Sequence, residues 1–134
     1  MSGLPQRTVR FLEVQLEPSE GDEWTARVRL STAQAPRCIG ASRGPRLDPE
    51  GLRLLAEATA KALVQAVGPA DHELEVHGIE QVKVFGRRAL VVYVSARHGD
   101  RRQSLMGFSV ADTNPPKAAA LAVLNAVNRF WGVG

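Results

Sequence analysis

Two four-residue stretches, Ile39-Gly40-Ala41-Ser42 and Met106-Gly107-Phe108-Ser109, stand at the same point of a repeated order. Each closes what reads as a third β-strand. Each is followed by a polar loop, a proline-led helix and a terminal glycine, Gly68 or Gly132. Four matching residues are weak by themselves. Six strand patterns and two helix patterns falling twice into the order strand, strand, strand, helix are harder to dismiss. The expected fold is therefore α+β, with two tandem βββα units whose antiparallel sheet packs on two helices. At 134 residues the chain reads as one domain, with the pseudo-repeat running 8–68 and 73–132.

Taken in order, Thr8 to Glu17 reads as a strand whose apolar phase shifts between Phe11 and Leu12, the sign of a bulge or of two buried faces. Glu23 to Ser31 alternates cleanly, with Trp24, Ala26, Val28 and Leu30 on one face. Arg37 to Ser42 is a short third strand, and Arg43 to Leu47 a loop. The first helix has Asp48 as cap, Pro49 at its first position and Glu50 near the positive dipole end. Leu52, Leu55, Ala56, Thr59, Leu63, Ala66 and Val67 give it an apolar stripe, Glu57 and Lys61 an i,i+4 pair, and Gly68-Pro69 a stop. Glu73 to Phe85 reads as a long strand bent at Gly78, turning at Gly86-Arg87. Arg88 to Ala96 is apolar on both faces and should be central. Gln103 to Val110 is the sixth strand.

The last helix, Pro115 to Trp131, is capped by Thr113 or Asn114 and starts on proline. From Ala118 to Val127 it is apolar almost all round, with Asn125 and Asn128 three apart on one flank. A surface helix shows a broad polar face. This one is expected to meet a sheet on one side and something else on another: it is either a core helix covered on all sides, or in part a subunit or ligand interface with Asn125 and Asn128 at it.

Composition narrows the classes. No apolar run is long enough to cross a membrane, and Met1 to Arg10 has no apolar segment of a secretory signal. Cys38 is the sole cysteine, so no internal disulfide forms and a reducing cytoplasm is the expected compartment. The 17 basic residues, arginine apart from Lys61, Lys83 and Lys117, outnumber 14 acidic ones without forming a dense cluster. Arg87-Arg88, Arg101-Arg102 and the Arg37/Arg43/Arg46 group read as solvated turn and strand-end residues.

No enzyme emerges. His72, His77 and His98 lack a partner at metal spacing, and no serine sits in a nucleophile elbow. Arg37 beside Cys38 would favour a thiolate, although plain packing is the commoner role. Glu73, Glu75 and Glu80 share a strand without a differently tuned second acid. No cofactor or metal is expected. The better candidates are the loops before the helices. Ser42, Arg43, Gly44 and Pro45 form one, and Gly107, Asp112, Thr113 and Asn114 mark the other. Helix starts offer free N–H groups to carboxylates and phosphates, and glycines let a ligand approach the backbone.

The run Ala122-Val123-Leu124-Asn125-Ala126-Val127-Asn128-Arg129-Phe130 resembles, nearly position by position, the closing helix of the C-terminal regulatory domain of 2-isopropylmalate synthase and relatives such as citramalate synthase. That domain has Thr-Asp before the helix, where Thr113-Asn114 stands here. Its Gly-Asn-Gly-Pro loop corresponds to Ser42-Arg43-Gly44-Pro45, which keeps only Gly-Pro. Pro115-Pro116 replaces an aliphatic pair. The resemblance covers Arg37 to Trp131 and implies two βββα units, a homodimer, and binding of a branched-chain amino acid or related carboxylate for feedback control in leucine biosynthesis. Carried over, Gly44, Pro45, Thr113 and Asn114 are its effector-loop residues. The family's catalytic barrel has no counterpart here, so a stand-alone, non-catalytic domain is expected.

Two other readings stay open. The chain can be an assembly module docking a partner enzyme. Its second half also loosely resembles a double-stranded-RNA-binding domain, but only Lys117 stands where a lysine cluster belongs, so nucleic acid is the disfavoured partner.

Overall fold

The computed structural model describes residues 9–46, 48 and 50–133. In chain order the elements are β1 (Arg10–Pro18), β2 (Glu23–Ser31), β3 (Cys38–Pro45), α1 (Leu52–Val67), β4 (His72–Val84), β5 (Arg87–His98), β6 (Arg101–Val110) and α2 (Pro115–Trp131). The strands form two antiparallel three-stranded sheets, ordered β1-β2-β3 and β4-β5-β6. This is the expected α+β arrangement, a βββα pattern made twice.

The core lies between the sheets' inner faces and the two helices. Val28 and Leu30 of β2 and Leu90, Val92 and Val94 of β5 are fully buried against Leu55, Thr59 and Leu63 of α1 and Val123 and Val127 of α2. Strand alternation explains why β2 buries only even positions and β5 buries Leu90, Val92, Val94 and Ala96, with Ala89 the one odd position of β5 also buried. β5 is central, as expected, yet its second face (Val91, Tyr93) is not enclosed: Tyr93 is exposed.

The β1 bulge falls where the sequence phase shifts, with pairing slipping between Phe11 and Glu13. In β4 the slip lies between Val76 and Gly78, so the extra residue is His77 rather than Gly78. The β4–β5 turn is made by Phe85 and Gly86, both left-handed (φ 51° and 74°), not by Gly86-Arg87.

Three local expectations fail for identifiable reasons. Residues 43–45 are not a loop: β3 runs through Pro45, which pairs with Glu23, while Arg43 Nε donates to Glu23 Oε1 at 3.0 Å. A proline is tolerated there because β3 is an edge strand. Helix α1 starts at Leu52, after left-handed Gly51, rather than after Asp48. Asp48 still caps it from a distance, accepting from the N–H groups of Leu52 (2.7 Å) and Arg53 (3.1 Å). Pro49 lies outside the described residues, and Glu50 pairs with Arg88 instead of joining the helix. Finally, Glu57 and Lys61 do not pair with each other. Glu57 accepts from Ser42 at 3.3 Å, and Lys61 donates to the Ala41 carbonyl at 3.0 Å.

Helix α2 has the predicted bounds, with Asn114 Oδ1 accepting the Lys117 N–H at 3.1 Å. Its apolar surface is covered mostly within the chain, by β6, β5, α1 and β1. What remains open is a narrow strip through Lys117, Leu121, Asn125 and Arg129, four residues apart. Among the described residues no helix is long and apolar enough to cross a membrane.

Candidate functional site

Residues at matching positions mark the two halves. A Cβ on Gly40 would lie 2.0 Å from the Ala58 carbonyl oxygen, and one on Gly107 would lie 1.9 Å from that of Ala122. Both glycines therefore let a helix settle directly on a strand. The space that a Gly107 side chain would fill is thus taken by α2. One turn further along each helix, Lys61 and Asn125 reach the strand backbone just beyond those glycines, at Ala41 O and Phe108 N. Earlier in each helix stand Arg53 and Lys117, each beside the bulged strand of the other half.

Arg53 makes the larger use of that position. Its guanidinium donates to the carbonyls of His77 (3.0 Å) and Val76 (3.4 Å), at the β4 bulge. A bulge turns carbonyls out of the ladder, which is what leaves them free to accept. This clamp ties α1 to β4, and a cleft of about 560 Å³ lies beside it. Ser42 from β3 and Arg53, Glu57, Ala60 and Lys61 from α1 form one wall. Glu73 to Val76 of β4, Ser95 of β5 and Arg102 of β6 form the other. The volume lies in the range of small-molecule sites.

The cleft carries three cations, Arg53, Lys61 and Arg102, and three carboxylates, Glu57, Glu73 and Glu75. Glu73 is engaged by Arg97 and Arg102, each at 3.3 Å. Glu75 stands mostly in solvent, its nearest partner being His77 Nε2 at 4.0 Å. Such a wall offers both signs of charge within one small volume, the chemistry that receives a zwitterion.

Of the residues expected to bind a ligand, only Ser42 lines this cleft. Arg43 points outward to Glu23, Gly44 is buried with Leu54 3.8 Å from where its Cβ would be, and Pro45 ends the strand. On the other side, Asp112 is held by Arg87 at 2.6 Å and by the Arg88 N–H at 3.3 Å. Thr113 is exposed and Asn114 is engaged as the cap of α2. Asn114 lies beside Phe11 to Val14 of β1. Asn125 accepts from Phe108, and the Asn128 carbonyl accepts the Val133 N–H at 2.9 Å.

Sequence reasoning singled out Glu73 and Glu75 without a partner wall, and missed Arg53, Glu57 and Arg102 as site residues. Their signal is tertiary: they come from α1 and β6, which no linear motif connects to each other or to the β4 carboxylates.

The arginine pairs are largely engaged within the chain: Arg87 with Asp112, Arg88 with Glu50, Arg102 with Glu73, and Arg46 over the Trp24 ring at 4.4 Å. Burial pushes the Cys38 thiol above its ordinary range, opposite to the thiolate that Arg37 would favour. Among the described residues no group of three His, Cys, Asp or Glu side chains is placed to hold a metal ion.

No protein-family model matches the sequence, and no curated protein does.

Proposed function

We propose that this chain is a non-catalytic domain that pairs with a second copy and binds a small carboxylate-bearing molecule. It resembles in this the leucine-sensing regulatory domain of 2-isopropylmalate synthase. The observation that carries the reading is the duplicated βββα unit, with Gly40 and Gly107 set directly against their helices and Lys61 and Asn125 in matching places. That is the architecture the resemblance implies. The charge-balanced cleft beside Ser42 supports a zwitterionic ligand, a branched-chain amino acid in the first instance. Engagement of the arginines by carboxylates speaks against a phosphate-binding surface.

Isothermal titration with leucine, isoleucine, valine and the matching 2-keto and 2-hydroxy acids tests it. Heat from one of these that Glu75→Lys abolishes supports the cleft; silence from all of them removes the ligand. Silence with a persisting dimer favours the second reading, a plain assembly module, for which the apolar outer surface of the β4-β5-β6 sheet speaks.

A further inference from the structure

The two halves share a backbone plan, so their outward-facing sheet surfaces are natural controls for each other. In the first sheet, β2 and β3 present Arg27, Arg29 and Arg43 beside Ile39 and Ala41. The matching positions, fixed by the Val28–Gly40 and Val92–Gly107 pairings under the helices, are Val91, Tyr93, Val110, Met106 and Phe108. Three arginines have become Val, Tyr and Val, and an alanine has become Phe. Nothing in the fold requires this, because the same plan is built with arginine in the other half. Yet Tyr93 is 46%, Met106 67%, Phe108 45% and Val110 42% exposed. Contiguous apolar surface of this kind marks an interaction site, and Tyr, Phe and Met are the side chains enriched there.

We infer that this outer face of the β4-β5-β6 sheet is where two copies of the chain pack, face to face about a two-fold axis parallel to β5. The inference rests on the pairing in the proposed function and assigns its surface. Two observations select face over edge and self over stranger. Of the sheet's two edges, β4 has its Val76 and His77 carbonyls taken by Arg53, and β6 is blocked in its middle, since the Phe108 N–H is already taken by Asn125 Oδ1 at 2.9 Å. Strand addition across that edge would have to break this bond. Charge is also distributed antisymmetrically across β5. Exposed Glu80 lies on the β4 side, and exposed Arg129 of α2, next to Met106, lies on the β6 side. A two-fold along β5 exchanges these edges, so the acidic edge of each copy lies over the basic edge of the other. An isologous contact needs this self-complementarity, while a face made for an unrelated partner does not.

Light scattering across a concentration series tests this with the full chain. The wild type is expected at twice the chain mass. Val91→Arg with Tyr93→Arg, which copies Arg27 and Arg29 of the first sheet, should halve the mass and leave the circular dichroism spectrum unchanged. Met106→Lys, at the most exposed of these sheet positions, should do the same with less risk to folding. Arg27→Ala, on the opposite sheet, should leave the dimer intact. A wild-type dimer that survives both face substitutions, or that is lost in Arg27→Ala, overturns the assigned face and leaves pairing itself standing. A wild-type monomer at every concentration overturns both.

Discussion

The side-chain oxygen of Asn125 accepts the backbone N–H of Phe108 at 2.9 Å, closing the middle of the β6 edge from within the chain. An exposed edge strand is a template for pairing, and here a helix residue occupies one of its donors. Asn125→Ala removes the acceptor and leaves the N–H to water. The expected loss is about 0.5–1.5 kcal/mol, the net value of one hydrogen bond. Urea unfolding measures it, and faster aggregation at partial denaturation should accompany it. An unchanged midpoint would mean that water replaces Asn125 at no net loss.

Gly107 carries a harder constraint. Its added Cβ would stand 1.9 Å from the Ala122 carbonyl oxygen and 2.7 Å from the Ala126 nitrogen, both backbone. No rotamer change relieves that, so α2 must move off the sheet. Gly107→Ala should lose about 3 kcal/mol, the upper part of the overpacking range, and Gly40→Ala about the same against Ala58. Gly78→Ala is the control, since its Cβ would meet nothing within 4 Å among the described residues. It should change stability by less than about 0.5 kcal/mol. Equal effects at all three glycines would show that the close helix–strand contact is not what the glycines serve.

How far the sequence could be read follows from the range of each interaction. β2 and α2 were legible to the residue, since alternation in Glu23–Ser31 and the Asn114 cap with Pro115 are signals carried locally. The β1 bulge was legible too, because Phe11 and Leu12 break the apolar phase. The start of α1 was not. Asp48 looks like an adjacent cap, and its reach to Leu52 and Arg53 depends on the left-handed turn at Gly51. Gly40 and Gly107 were noticed as a repeated pair, but their role needs the position of Ala58 and Ala122 in space. The cleft was least legible. Ser42, Arg53 and Arg102 come to it from β3, α1 and β6, far apart in the chain, and Arg53 reaches the His77 carbonyl at the β4 bulge.

That clamp predicts an asymmetry between the halves. Arg53 spans from α1 to the Val76 and His77 carbonyls, while Lys117 holds the matching place on α2 beside β1. Arg53→Met keeps the stem and removes the donors, and should lose about 1 kcal/mol, since the bonds are partly exposed. It should also widen the cleft and weaken any ligand found by titration. Lys117→Met should change stability by less than half as much. Thermal melts of the two variants, run in parallel, check the difference. Equal shifts would mean that the two helices are held by apolar packing alone.

Cys38 gives a pH dependence with a definite sign. It lies on the buried face of β3, paired with Leu30, and burial raises its thiol above the ordinary value of 9.0. The folded chain therefore holds the thiol proton to higher pH than the unfolded chain does. Where the unfolded state has lost that proton and the folded state keeps it, stability falls as pH rises. The contribution is complete below pH 9.0, begins to be lost there, and is gone once pH passes the raised folded value. Urea midpoints between pH 7 and pH 10 should thus fall more steeply for the wild type than for Cys38→Ala, which lacks the titrating group. The same burial predicts slow reaction with a thiol reagent at pH 8, accelerated by partial urea, because the thiolate is the reactive form. A wild-type profile parallel to that of Cys38→Ala, together with rapid native-state labelling, would show the thiol to be open to solvent and unshifted.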